Sequence, residues 1–294
     1  RPAGYNASSF ELWRRIYRAK PPRSLAEAGL SCLGPIPNSY GDCGKEPCRK
    51  CDMLGMDHGT DLTNGAWGYP NGTRAEREAI RRAHIEFTEG LLWFWKTDPA
   101  VPTRVQNELA QYGHCADEYS ATSMPPHWPP QLYVREARRL VGDFVWTEHR
   151  APEAQRARSV GLGSYTFDCH TVSRIIHRTG SAHSDYVVVE GRVNDGAEGR
   201  HVPGVVQQPF EIPYDALLPK VTEGSNLLAA VAVSASHLRY NAVRMEPTWM
   251  VIGQAAGVAA AMVVGTMSEP QPLHDLDVTE LQRRLQLQGQ HIWP

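Results

Sequence analysis

The segment from Asn226 to Val264, NLLAAVAVSASHLRYNAVRMEPTWMVIGQAAGVAAAMVV, constrains the fold more than any other part of the chain. Its opening apolar run, Leu227 to Val233, has the length and β-branched content of a buried strand and delivers Ser234, Ser236 and His237 at its end. Arg244-Met245-Glu246-Pro247 predicts a turn, with Pro247 in the first turn of a following helix, where a residue lacking an N–H is accommodated. Gly253, Ala255, Ala256, Gly257, Ala259, Ala260 and Ala261 leave that helix with almost no side-chain bulk. Something is therefore expected to approach its backbone closely. Two occupants fit, a tightly packed core and a bound cofactor. The apolar part, Trp249 to Val264, is interrupted by Gly and Gln and falls short of the roughly 20 residues a bilayer requires, so no transmembrane segment is expected.

With 294 residues, 41% of them hydrophobic, the chain can bury a sizeable core in one or two domains. Thirty basic and 32 acidic residues give a formal net charge of −2, which argues against nucleic acid or an anionic membrane surface as the main partner. Six cysteines stand at 32, 43, 48, 51, 115 and 169. Cys43, Cys48 and Cys51 crowd into a stretch rich in Gly and Pro, residues 24–64, that lacks periodicity and needs staples if it is ordered. Disulfides, a zinc site on these three with His58 nearest as a fourth ligand, and free thiols all remain open. No other metal site is expected. Two sequons, Asn6-Ala7-Ser8 and Asn71-Gly72-Thr73, mark candidate N-glycans and with the cysteines suggest an extracellular, secreted setting.

Residues 9–20 place Phe10, Trp13, Ile16 and Tyr17 on one helical face, capped by Ser8 or Ser9 and stopped by Pro21-Pro22. Thr73 and Glu76 form an expected capping box for a helix from Arg74 to Lys96, with Ile80, Phe87, Leu91 and Phe94 buried, Trp93 and Trp95 flanking them, and Asp98-Pro99 as the stop. A second box, Thr103 with Gln106, predicts a helix carrying Val105, Leu109 and Tyr112. A third helix is expected from Gln131 to Val141, whose Arg135, Arg138 and Arg139 either grip an anion or form a solvated or bridging face. Strands are expected across 161–206, with a turn at Asn194-Asp195-Gly196. Asp277 and Glu280 cap a final helix carrying Val278, Leu281 and Leu285 and ending at Gly289.

Asp168 and His170 stand two apart in strand-like sequence, so they are expected on one face, either as a carboxylate-oriented histidine base or as a structural pair. Cys169 faces away. His237 and Ser236 end the apolar run, and Arg244 and Glu246 straddle the helix start, where Arg244 pairs with Glu246 or with a bound group.

Read as Asn-Leu-Leu, Ser-Ala-Ser-His, Arg-Met-Glu-Pro-Thr and Gly-Gln-Ala-Ala-Gly, the central segment resembles the carboxyl-terminal signature of FAD-dependent oxidoreductases of the glutathione-reductase-like fold. Trp67-Gly68-Tyr69-Pro70, Gln131 to Arg139, Gly161-Leu162-Gly163-Ser164-Tyr165 and Pro213-Tyr214 through Pro219-Lys220 resemble further blocks of that family, in order. The resemblance implies FAD as cofactor and a closing helix whose amides around Gly253, Gln254, Ala255, Ala256 and Gly257 face the flavin. It also places Ser236, Arg244 and Glu246 at the cofactor and His237, His170 and Asp168 at the chemistry. The family's Gly-x-Gly-x-x-Gly loop does not occur in this sequence, since Gly161-Leu162-Gly163-Ser164-Tyr165-Thr166 lacks the third glycine.

The expected fold is α/β with a mixed sheet, the carboxyl-terminal half of a two-domain flavoprotein. Residues 1–160 form a mostly helical substrate or cap region, 161–220 a strand-rich substrate region and 221–294 the returning part of the FAD domain. The expected function is hydride transfer from a small organic substrate to flavin, with a Rossmann segment supplied by the same precursor or by a second polypeptide. The alternative is a non-enzymatic extracellular structural or binding protein that retains the scaffold.

Overall fold

The structure, a computed structural model, describes residues 1–23, 61–114, 116–120, 125–149, 151–165, 167–177, 186–191, 193–194, 209–265 and 271–294. Cysteines 32, 43, 48, 51 and 115, with His58, lie outside the described residues, and so do the disulfide, zinc and thiol readings attached to them. The remaining Cys169 is a buried free thiol. In chain order the helices are α1 (Glu11–Ala19), α2 (Arg74–Thr97), α3 (Thr103–Leu109), α4 (Glu153–Arg156), α5 (His237–Val243), α6 (Glu246–Gly265) and α7 (Val278–Leu287). The strands are β1 (Ser159–Gly163), β2 (Asp168–Cys169), β3 (Ser173–His177), β4 (Tyr186–Glu190), β5 (Val193–Asn194) and β6 (Phe210–Pro213). Two compact units interleave along the sequence, one made of Arg1–Ala137 and His170–Arg192, the other of Arg138–Cys169 and Val193–Pro294.

In the first unit the helical periodicity holds. Phe10, Trp13 and Tyr17 pack with Leu91, Phe94 and Trp95, and α3 adds Val105 and Leu109. Each such side chain gains about 1.5–3 kcal/mol on burial, so this cluster is what holds three short-range helices together. Trp95 is not a flanking residue but fully buried, and its indole Nε1 donates to the Tyr17 hydroxyl at 2.6 Å. Thr73 and Glu76 form the capping box, the threonine hydroxyl accepting from the Glu76 amide at 3.3 Å and the carboxylate accepting from the Thr73 amide at 2.6 Å. Asp98, buried at the end of α2, accepts from Arg14 Nε at 2.7 Å.

Two caps of the first unit differ from expectation. A single 3₁₀ turn, Ala7–Phe10, precedes α1, and its cap is Asn6, whose Oδ1 accepts from the Ser8 amide at 3.0 Å. No box forms at α3: Pro102 holds the cap position, and the Gln106 amide reaches back to the carbonyls of Asp98 and Val101 at 2.8 and 3.0 Å.

In the second unit β1 runs antiparallel to β6, with Leu162 opposite Glu211 and Gly163 opposite Phe210. Helix α6 crosses β1 at Gly161, where any Cβ would collide with the Val251 side chain. Ile252, Ala255 and Ala259, all fully buried, form the packed side of α6, and Leu281 and Leu285 of α7 belong to the same core. The chain end fastens β1: Ser159 Oγ donates to the Ile292 carbonyl at 2.9 Å, Gln282 donates to the Ser159 carbonyl at 2.9 Å, and the Gln290 amide donates to the Val160 carbonyl. Asp277 caps α7 through the amides of Thr279 and Glu280, but the Glu280 carboxylate turns to Arg283 and Arg284 rather than back to the cap. Gly289 closes the helix at φ +84°, as its position predicts.

The expected strand over Leu227–Val233 does not form, nor does the helix over Gln131–Val141, and the causes are linked. The 229–236 backbone is threaded irregularly between two neighbours. Ala229 and Ser234 donate to the carbonyls of Leu217 and Ala216, and on the other side Leu140, Trp146 and Ser236 bond with Ala232, Ser234 and Trp146. Leu140 and Gly142 direct their amides to the Ala232 carbonyl and the Ser234 hydroxyl, which removes them from any helical ladder. Among the described residues the strands make three two-stranded antiparallel pairs, not one mixed sheet, and the sole parallel pairing is a bridge between Trp146 and Ala235. This mixture of helices and small sheets is compatible with the α/β class.

Helix α6 is also longer than its apolar run suggested. Glu246–Val264 spans 19 residues at a mean hydropathy of 1.5, long and apolar enough by length and composition to cross a membrane. Its Ile252, Ala255, Ala259 and Met262 side is nonetheless part of the unit's core.

Candidate functional site

The close approach that the small residues of α6 demand is made on one side only. Ala255 and Ala259 meet the β1 side, while Met250, Gly253, Gln254, Gly257, Ala260, Ala261 and Val264 form an exposed row on the other. Among the described residues a Cβ added at Gly253 or Gly257 would meet nothing within 4 Å. Met250 and Val264, at the ends of the row, are 73% and 79% exposed. The row thus combines open space with bare backbone.

The helix start lies two turns earlier than the amides expected to face a cofactor. Because α6 begins at Glu246, residues 253–257 are interior, and their N–H groups bond to carbonyls four residues back. The positive end of the dipole and the unbonded amides belong to the first turn, at Glu246 and Thr248, where Pro247 has none to offer. Glu246 is exposed there and satisfies the dipole with its own carboxylate. Ala255 faces the core and is excluded from any external contact.

Arg244, just ahead of α6, is 4% exposed and pairs with Asp168 of β2, not with Glu246; its Nη2 donates to Asp168 Oδ2 at 2.7 Å. The Tyr165 hydroxyl approaches the same oxygen at 3.5 Å. Asp168 thereby ties β2 to the approach of α6, and the pair reads as an anchor. His170 has a different carboxylate: its Nδ1 lies 2.7 Å from Asp61 Oδ2, within the first unit. Arg174 Nη1 donates to the Asp61 backbone carbonyl at 2.6 Å.

Ser236 is the N-cap of α5, its hydroxyl accepting from the Arg239 amide at 3.2 Å and donating to Glu148 Oε2 at 3.1 Å. The Glu148 carboxyl is held below its ordinary range, first by its own backbone N–H and also by the Ser236 hydroxyl. His237 is the exposed first residue of α5, and its carbonyl accepts from Asn241 Nδ2 at 3.0 Å. The Arg135 and Arg139 guanidinium carbons lie 5.7 Å from the ring centroids of Tyr133 and Tyr240, and Arg139 also donates to the Ala235 carbonyl.

Arg239 escaped the sequence reading. It is 2% exposed, with its guanidinium 4.9 Å from the Trp146 ring, 5.0 Å from Phe210 and 5.5 Å from Phe167. Its Nε donates to the Thr147 carbonyl at 2.9 Å and one Nη2 to the Glu148 carbonyl at 2.8 Å. Burial pushes its pKa down to about 10. A lone arginine beside Tyr240, Ala242 and Val243 was the available signal, but a cation in a short helix reads equally as a solvated face. Among the described residues no three His, Cys, Asp or Glu side chains are grouped to hold a metal.

The family model for FAD dependent oxidoreductases matches residues 1–285. The chain belongs to that family. No curated protein and no solved structure matches it. The family's cofactor is FAD. The exposed glycines of α6 carry no side chain, and among the described residues nothing lies within 4 Å of a Cβ built on either, so a flat ring could approach the backbone there. Gly253, Gln254 and Gly257 are the residues of this oxidoreductase that could meet it; Ala255 is turned away.

Proposed function

We propose that this chain forms the substrate-side and returning portions of a glutathione-reductase-like flavoprotein that moves a hydride from a small organic substrate to FAD. A second segment, in the same precursor or in another polypeptide, supplies the Rossmann loop. FAD contributes the two-electron acceptor. The chain's own residues contribute a bare helix face at Gly253, Gln254 and Gly257, a start of α6 anchored by Arg244 and Asp168, and the imidazole of His237, which takes the substrate's proton. Ser236 holds the segment entering α5 by capping it. Glu246 meets an adjoining polypeptide or the cofactor's polar edge. Secretion, with glycans on the exposed Asn6 and Asn71, belongs to the same reading.

One observation carries it: in a chain of this family, two glycines one turn apart face open space among the described residues, on a helix whose Ile252, Ala255 and Ala259 are fully buried on the other side. A contiguous, largely apolar row exposed on a folded unit fits a surface that meets a ligand or a partner. Native material should absorb at flavin wavelengths and yield a second polypeptide, or a longer precursor, on intact-mass analysis. A colourless single chain would reject the proposal. Gly257→Leu should abolish flavin retention while the fold persists, and undiminished flavin in that variant would displace the ring from this face.

A further inference from the structure

We propose that the indole of Trp67 is the platform on which the first sugars of an N-glycan on Asn71 lie. The inference goes beyond the flavin reading and rests only on its secreted, glycosylated part. Trp67 is 88% exposed, more than any other large apolar side chain among the described residues. It does not stand on a slack loop. Successive turns close from the amides of Gly65, Trp67, Tyr69 and Gly72 to the carbonyls of Leu62, Asn64, Ala66 and Tyr69, at 2.9–3.3 Å. Arg77 of α2 fastens the last of them, donating from Nε to the Tyr69 carbonyl at 2.9 Å and from Nη2 to the Pro70 carbonyl at 3.0 Å. Its guanidinium carbon also lies 5.5 Å from the Tyr69 ring centroid. The backbone that presents the indole is thus ordered before any ligand arrives, which lowers the entropic cost of binding there.

The occupant follows from the adjoining sequence. Asn71-Gly72-Thr73 is an N-glycosylation acceptor, and Asn71 is exposed. The turns fold the chain back so that a Cβ on Gly72 would stand 3.0 Å from the Gly68 carbonyl. Trp67 and Asn71 each precede one of these glycines and are brought together with them. Four residues span at most about 14 Å when extended, and two turns shorten that span. A pyranose ring presents C–H groups on one face, and the indole presents the negative face of its π-system, so the two attract and cover each other's apolar area. A protein partner would call for an apolar surround, whereas the exposed residues flanking Trp67 in sequence, Asn64, Gly68, Asn71, Thr73 and Arg74, are polar or lack a side chain.

Attachment joins Asn71 Nδ2 to the anomeric carbon of a lipid-pyrophosphate-linked oligosaccharide. The C–N bond forms, the C–O bond to the pyrophosphate breaks, and the amide gives up one proton. In the folded chain the Thr73 hydroxyl donates to Glu76 Oε2 at 2.8 Å, so the acceptor is modified before α2 closes its cap.

The full chain, produced through a eukaryotic secretory pathway, gives the test. Peptide mass mapping should find a glycan on Asn71. Under hydroxyl-radical footprinting Trp67 should oxidise at least about threefold more slowly in the glycosylated protein than in Asn71→Gln. Trp293, 44% exposed in the other unit, should oxidise equally in both. Trp67→Ala, at an exposed position, should leave the fold intact and let a glycoamidase release the Asn71 glycan at least about threefold faster under native conditions, while Trp67→Tyr should restore most of the resistance. An unoccupied Asn71 would overturn the proposal together with the glycosylated reading. A glycan present with Trp67 oxidation and glycan release both unmoved would overturn the platform alone. Trp67 protected equally in Asn71→Gln would also overturn it and assign the indole to another partner.

Discussion

The two units solve the same problem of burial with different materials. In the first, the rings of Phe10, Trp13, Tyr17 and Phe94 lie edge and face at 5.6–6.1 Å between centroids, and the Trp95 indole donates to the Tyr17 hydroxyl. In the second, a guanidinium sits among three aromatic rings at Arg239, a second is buried at Arg244, and Glu211 is buried against Arg156 at 2.8 Å. Apolar cores tolerate exchange of shape, whereas buried charges fix which loop carbonyl and which carboxylate must be where. The difference teaches where this protein keeps its geometry strict. The strict region is the one that holds the open row of α6.

That contrast can be broken most severely in the cores themselves. Phe94→Ala should cost about 3–5 kcal/mol, mainly lost burial and a cavity, read by urea unfolding. Arg239→Met, close in volume, should still cost about 2–4 kcal/mol, because the carbonyls of Thr147 and Glu148 lose their donors. If Met at 239 were as stable as arginine, the second core would be no stricter than the first.

The two faces of α6 allow a smaller and sharper comparison. Gly161→Val should destabilise by about 1–3 kcal/mol through its collision with Val251. Gly257→Leu should leave the melting temperature unchanged or raise it slightly, since it adds helix propensity of about 0.5–1 kcal/mol and meets no neighbour. Equal losses at both positions would show that the row is not open. Thr73→Ala, which removes one half of the α2 capping box, should cost about 1 kcal/mol with the second unit unaffected.

The smallest effect is a dependence on pH. The Glu148 carboxyl titrates below its ordinary 4.5 in the folded state, so the stability it adds is complete above that value and is lost as acid protonates it. Glu148→Gln should therefore flatten the fall in stability below about pH 4.5. An unaltered acid limb would assign that loss to other carboxylates.

Much of the first unit was legible because its determinants are local. A capping box at Thr73, a 3.6-residue apolar period through Leu91 and Phe94, and a stop at Asp98-Pro99 define α2 without reference to anything distant. The second unit resisted for the opposite reason. Leu227–Val233 has the composition of a strand, but within it the Ala229 amide and the Ala232 carbonyl find partners at Leu217 and Leu140, neither of which the segment itself announces. At the site, the small residues of α6 and the glycines at 253 and 257 were visible, while the side that β1 occupies was not. The carboxylate of His170 was sought two residues away and stands 109 residues away.

The sequence by itself determined the family, the helices with their own caps and stripes, and the presence of one helix too small in side chain to stand alone. Those are properties of neighbours along the chain, set by periodicity and by hydrogen bonds that close within a few residues. Tertiary structure alone decided that Asp168 belongs to Arg244 and His170 to Asp61, that Arg239 is buried, and which face of α6 is bare. Pairings of that kind depend on which distant surfaces share a volume, and a buried charge accepts whichever partner the packing brings within about 3 Å.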